Sequence, residues 1–170
     1  MPLLLLKVNR LSAVFWDVDG TLADTEMDGH RPAFNMAFKE LDLPFVWDEA
    51  LYNRLLAIPG GLRRVKLHAE TCGVHLSQNQ LEQVRDRKRV HYLERVRQGH
   101  VHLRPGVKRL LQELNKAGVQ QWIVTSSGSA SVMALLEQIQ KQIPSFDGVV
   151  TSDDVCLLYT SDAADEHGCV

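Results

Sequence analysis

Asp17 and Asp19 are the residues whose type and spacing most directly imply chemistry. They lie in Phe15-Trp-Asp-Val-Asp-Gly-Thr-Leu22, at the close of an apolar run. Two carboxylates two positions apart, leaving the end of a strand, point to the same side. Acids this close repel one another, so a cation such as Mg2+, which takes oxygen ligands and keeps waters of its own, is the expected partner. Gly20 allows the tight turn that follows, where a Cβ would be costly. A lone Asp-x-Asp pair is common on protein surfaces; the apolar strand before this one and Gly-Thr-Leu after it set it apart.

A second group of residues is Trp122-Ile-Val-Thr-Ser-Ser-Gly128. Thr125 ends an apolar segment, where a hydroxyl and successive backbone N–H groups can hold a phosphate oxygen. Alone, a Ser-rich turn of this kind more often caps the next helix.

The elements that must position these groups follow from hydrophobic spacing. Residues 11–16 read as a buried strand, parallel to its neighbours and covered on both faces. From Thr25 to about Gly99 the pattern is helical, and Pro32, Pro44, Pro59 with Gly60-Gly61, and Gly73 divide it into four or five helices. Val107, Leu110, Leu111 and Leu114 then mark an amphipathic helix closed by Gly118. Residues 119–125 read as a strand, Val132, Leu135, Leu136 and Ile139 as the next helix, and residues 146–150 as a further strand. Strand and helix alternate here, so right-handed βαβ units on a parallel sheet are expected. A helical segment of some 75 residues thus interrupts the α/β unit at the carboxyl end of its first strand. Open α/β sheets bind ligands there, so the insert is placed to act as a lid.

Composition narrows the class without naming a function. The chain has 170 residues, 45% hydrophobic and 24% charged, with a formal net charge of −2. That length buries a sizeable core without metal or disulfide staples, and the near-neutral charge argues against a nucleic-acid partner. Cys72, Cys156 and Cys169 form an odd set without metal-like spacing, which favours a reducing compartment. The apolar run at residues 3–6 is too short to span a bilayer, so no membrane association is expected. From Cys156 the sequence Cys-Leu-Leu-Tyr-Thr-Ser-Asp-Ala-Ala-Asp-Glu resembles the translation of a sequencing-library adapter. Residues 156–170 are therefore expected to be a non-native tail, excluded from fold reasoning. The basic stretch Arg85, Arg87, Lys88 and Arg89 is read as a solvated helix face, His100 and His102 as a surface strand or loop, and Trp47 and Trp122 as core.

Asp-x-Asp-Gly-Thr after an apolar strand resembles the first motif of the haloacid dehalogenase-like (HAD) phosphohydrolases, and Thr125-Ser126 resembles the second. The resemblance implies a Rossmann-like α/β parallel-sheet core with an inserted helical cap, the core being incomplete at its C-terminus. Core residues 1–22, cap 23–99, core 100–155 and tail 156–170 are the expected division. It also implies that Asp17 is the nucleophile, forming an aspartyl-phosphate, and that Asp19 is general acid and then general base. Mg2+ would bind the Asp17 carboxylate and the Asp19 backbone carbonyl. Thr125 would hold phosphate through its hydroxyl and Ser126 through its N–H. The family's later Lys and second acidic pair are not found; Asp153 and Asp154 precede the expected Lys and are read as loop residues. As written, the chain is expected to have an incomplete site and little or no turnover.

Thr21-Leu-Ala-Asp-Thr-Glu26, Gly29-His-Arg-Pro-Ala-Phe-Asn35, Pro59-Gly-Gly-Leu-Arg-Arg64 and Leu103-Arg-Pro-Gly106, in that order, resemble the CbbY-like branch. That branch lies beside the β-phosphoglucomutases and phosphoglycolate phosphatases. By this resemblance Asp24, standing where a Glu often occurs, together with His30 and Arg31, approaches the sugar. Gly60 and Gly61, with Arg63 or Arg64, form a loop holding a distal phosphate, since a planar guanidinium suits that group. Each arginine is weighed against a solvated helix residue, with one of the two expected as a ligand. The implied substrate is a small phosphosugar, most specifically a bisphosphate such as xylulose-1,5-bisphosphate. A phosphotransferase of the β-phosphoglucomutase kind, a phosphoglycolate phosphatase and an inactive fragment are the alternatives. A signalling receiver domain is set lower, because it lacks the helical lid. A monomer in the cytoplasm, or in a plastid stroma if a transit peptide is missing, is expected.

Overall fold

The computed structural model describes residues 11–154. The apolar run at residues 3–6 and the tail from Cys156 lie outside the described residues. Strand β1 (Ala13–Trp16) is followed by a π-helical segment, Thr25–His30, which runs into α1 (Arg31–Glu40). Helices α2 (Glu49–Leu55), α3 (Gly61–Thr71) and α4 (Gln78–Arg97) complete the insert. Then come α5 (Val107–Lys116), β2 (Gln120–Val124), α6 (Ser129–Ile139) and β3 (Gly148–Val150).

The three strands form one parallel sheet in the order β1-β2-β3, with Phe15 opposite Trp122 and Trp122 opposite Gly148. Sequential order with crossovers of one hand sends both connecting helices to the same face. Trp16 and Ile123 therefore pack with Leu111 of α5 and with Val132 and Leu135 of α6. Among the described residues the second face leaves Phe15 68% and Val124 43% exposed. Trp122 belongs to that face as well. It is half-buried rather than core, its indole so close over Gly148 that a Cβ there would lie 2.1 Å from a ring carbon.

A second apolar cluster forms among the helices of the insert. Phe34 and Phe38 of α1 meet Trp47, Tyr52 of α2, Val65 of α3, and Leu81 and Val84 of α4. Trp47 is fully buried there, as expected. The 20-residue α4 opens with a reciprocal capping box between Ser77 and Gln80, and its length lets it serve both clusters. Leu81 and Val84 near its start enter the second cluster, and Tyr92 and Val96 near its end enter the first.

The two chain segments entering and leaving the insert run antiparallel. Ala23 bridges Leu103, the Asp24 N–H donates to the His102 carbonyl at 3.1 Å, and the Arg104 N–H to the Leu22 carbonyl at 2.9 Å. The Arg104 guanidinium also clasps the Gly20 carbonyl.

Candidate active site

The turn after β1 is built on one carbonyl. Val18 O accepts from the N–H groups of Thr21, Leu22 and Ala23 at 3.3, 3.1 and 3.2 Å. Closing it requires Gly20 at φ +71°, in the left-handed region that glycine occupies without cost. Asp17 and Asp19 are carried on either side of the buried Val18.

The loop after β2 meets this turn, as parallel pairing of β1 and β2 demands. Thr125 donates its hydroxyl to Asp17 Oδ1 at 2.8 Å and accepts the Ser127 N–H at 3.2 Å. Ser127 in turn donates its hydroxyl to the Asp19 carboxylate. Residues 108 positions apart in sequence are thus brought into direct contact. Ser126 lies exposed beside them. Ser127 was not singled out in the sequence; its signal was the third hydroxyl in Thr-Ser-Ser.

From the insert, His30 brings Nε2 to 3.8 Å from Asp19 Oδ1, its ring stacked on Tyr92 at 4.2 Å. Burial holds His30 well below the usual histidine range, and the positive charges of Lys88 and Arg64 push in the same direction. It therefore stands as a neutral imidazole beside the carboxylate. Asp24 caps the π-helical segment, accepting the Met27 N–H at 3.4 Å. Arg31 turns toward Glu49, at 3.4 Å, and the Trp47 carbonyl, at 3.5 Å, within the helical insert.

Lys88 corrects the reading of the basic stretch as wholly solvated. Arg85 and Arg89 are exposed and Arg87 pairs with Glu40 at 2.6 Å. Lys88 instead extends between the rings of Phe34 and Tyr92, 5.2 and 5.3 Å from their centroids. Burial pulls its ammonium down to about 8 against the pull of Glu26 and Asp19. Helical periodicity alone does not separate a lysine facing a cleft from one facing water. With His30 and Tyr92, Lys88 lines one wall of a cleft of about 360 Å³, and Ser127, Gly128 and Ser131 line the other.

The remaining candidates divide. Gly60, at φ +81°, precedes α3, and Gly61 lies under the Phe34 ring. Arg63 is exposed, whereas Arg64 is buried and donates to the Leu55 and Ile58 carbonyls and to the Tyr52 hydroxyl. Asp153 accepts the Ser129 N–H and hydroxyl at 2.8 and 2.6 Å, and Asp154 accepts the corresponding groups of Thr151. Both are loop carboxylates with local partners. His102 pairs with Asp28 at 3.0 Å, and no group of three or more metal-ligating side chains occurs among the described residues.

The Asp17 carboxylate, of which a hydroxyl occupies only Oδ1, and the Asp19 backbone carbonyl would offer a hard, all-oxygen donor pair. Such a pair fits Mg2+ as part of a shell completed by water and substrate oxygens.

The parallel sheet, the Asp-x-Asp turn and the hydroxyl loop facing it define a family. Residues 14–157 match the haloacid dehalogenase-like hydrolases, and the chain belongs to that family. It is 40% identical over 135 residues to the plasmid protein CbbY of Cupriavidus necator, covering 75% of this chain and 52% of that protein. It is 34% identical over 143 residues to a CBBY-like protein of Arabidopsis thaliana, covering 74% and 42%. CbbY of Rhodobacter sphaeroides, solved as a mutant complex with xylulose-(1,5)bisphosphate, superposes with a TM-score of 0.66 at 28% identity, over 86% of this chain and 65% of that one. The chain spans about half the length of the curated relatives it matches. No helix among the described residues is long and apolar enough to cross a membrane.

Proposed function

We propose that the chain carries the nucleophile and cap of a Mg2+-dependent phosphatase acting on a small phosphosugar, most specifically a bisphosphate such as xylulose-1,5-bisphosphate. One observation supports this above the others: Thr125 and Ser127 hold the two carboxylates, and Ser127 and His30, which both lie against Asp19, line the cleft that also carries Lys88. The likeness to a CbbY structure holding xylulose-(1,5)bisphosphate supports the substrate class. In this reading residues 23–99 form the cap, and residues before and after them form the core.

Asp17 attacks phosphorus, a P–O bond forms to its carboxylate, and the ester P–O bond breaks toward the sugar oxygen. Asp19 gives that oxygen its proton and afterwards takes one from the water that attacks the aspartyl-phosphate. The Thr125 hydroxyl on Oδ1 orients Asp17 so that its other oxygen faces the substrate. Ser127 orients Asp19, and neutral His30 sits beside it without competing as an acid. Thr125 and Ser126 border the space for the transferred phosphoryl group, and Lys88 gives the cap a cation toward its charge. The resemblance supports Asp24, Gly60, Gly61 and Arg63 as sugar-side residues of the cap, whereas Arg31 is engaged by Glu49 and the Trp47 carbonyl. The Asp17 carboxylate and the Asp19 backbone carbonyl would hold Mg2+, which when bound would supply charge neutralisation for the attack on phosphate.

The test is calorimetric titration of the 170-residue chain with xylulose-1,5-bisphosphate, a glucose phosphate and inorganic phosphate in the presence of Mg2+. The bisphosphate is expected to bind at least about tenfold more tightly than inorganic phosphate, a difference of about 1.4 kcal/mol. Equal affinities would sink the bisphosphate assignment, and a preference for the glucose phosphate would point to mutase-type chemistry.

A further inference from the structure

We propose that Arg64 is a positioning residue, which acts through a buried chain of hydrogen bonds to set the loop at residues 56–60 that presents Arg63 to the distal anionic group of the substrate. The proposal rests on the bisphosphate reading above and deepens it. Arg64 is 8% exposed. Its Nε donates to the Leu55 carbonyl at 3.0 Å, Nη2 to the Ile58 carbonyl at 3.3 Å, and Nη1 to the Tyr52 hydroxyl at 3.2 Å. Tyr52 in turn donates its hydroxyl to Glu26 Oε2 at 2.6 Å.

Three features make this a latch rather than a satisfied core arginine. The acceptors flank the turn that leaves α2: the Leu55 carbonyl also receives the Ile58 N–H at 2.9 Å, so one guanidinium holds both ends of that turn. A buried cation needs a counter-charge, and Glu26 supplies it through the phenol, from the segment that also carries His30. Burial and the neighbouring Glu26 charge hold Tyr52 firmly in its phenol form, so the relay keeps its donor. Beyond the turn the chain passes Gly60, whose left-handed backbone starts α3, and the next two helical positions after Gly61 bring up the exposed Arg63. Adjacent arginines thus divide the work. Arg64 faces inward and fixes the loop, and Arg63 faces outward, free to meet a phosphate. A lysine would not replace Arg64, because a point charge cannot span three divergent acceptors.

The experiment compares the full chain with Tyr52→Phe, Glu26→Ala and Glu26→Gln, after circular dichroism has established that each is folded. Hydrogen exchange is read at the Ala57 and Ile58 amides, which the turn protects, together with the affinities for xylulose-1,5-bisphosphate and for inorganic phosphate. Tyr52→Phe and Glu26→Ala are expected to speed exchange at Ala57 and Ile58 by about tenfold while α4 is unchanged. Both should weaken the bisphosphate by a similar factor, and Tyr52→Phe, which leaves the Glu26 charge beside Lys88 in place, should leave inorganic phosphate untouched. Glu26→Gln, which still offers an oxygen to Tyr52 but removes the counter-charge, should fall between wild type and Glu26→Ala. Exchange that does not move in Tyr52→Phe overturns the proposal. So does a loosened loop with undiminished preference for the bisphosphate. A wild-type chain without that preference defeats the functional reading instead, and exchange at Ala57 and Ile58 still decides the latch.

Discussion

Gly20→Ala isolates the backbone cost of the turn that carries Asp19. A Cβ built at Gly20 has nothing within 4 Å, so sterics with the rest of the protein contribute nothing. What remains is φ +71°, a region in which a side chain costs roughly 1–2 kcal/mol. The turn cannot easily relax to a negative φ. Its Gly20 N–H is bonded to the Ala23 carbonyl at 2.9 Å, and the Gly20 carbonyl is clasped by Arg104. For a chain of this length a loss of 1 kcal/mol lowers the melting temperature by about 2–4 °C, so a fall of roughly 2–8 °C is expected. Gly20→Asn should cost visibly less, because asparagine tolerates the left-handed region better than alanine. The assay is thermal unfolding of the three proteins, with inorganic phosphate affinity in Mg2+ measured alongside. If Gly20→Ala changes neither the melting temperature nor phosphate affinity, the left-handed turn does not hold the site. If asparagine is as costly as alanine, crowding rather than backbone strain is at work.

Two further perturbations address the wall opposite Asp19. Lys88 has its folded-state proton affinity lowered to about 8, below the ordinary lysine range, so at lower pH the burial cost of its charge is fully present. Between about pH 8 and 10.4 the unfolded chain binds more protons than the folded one, and stability from this group rises by up to about 1.4 kcal/mol per pH unit. Urea unfolding of wild type and Lys88→Met across that range should show the wild type gaining on the variant; a constant difference would mean that Lys88 is solvated. Gly29→Ala would place a Cβ 2.7 Å from a Tyr92 ring carbon and 3.2 Å from Val101 Cγ2. Overpacking at this buried position should cost about 1–3 kcal/mol and disturb the His30 stack on Tyr92. Unchanged melting and unchanged phosphate binding would show that the ring yields freely.

The local chemistry of this protein was legible because it is local. An apolar strand running into Asp17-Val-Asp19-Gly20 sets side-chain direction by the strand period of two, and only glycine suits the turn that follows. Proline and glycine positions likewise marked the helices of the insert, and the spacing of Val107, Leu111, Val132 and Leu135 marked α5 and α6. Which residues meet across the chain was another matter. Arg63 and Arg64 are neighbours with the same chemistry, and only packing on Tyr52 turns one inward. Lys88 sits between Arg87 and Arg89 in sequence, and what sets it apart is the rings of Phe34 and Tyr92 that fold around it. Phe15 and Val124 share a face through the register of β1 against β2, which no single strand encodes. Sequence determined the turn from Asp17 to Gly20, the element order and the family pattern, since these depend on residues a few positions apart. Tertiary structure alone decided which charges face the cleft, because burial and partner choice are properties of elements that meet from distant parts of the chain.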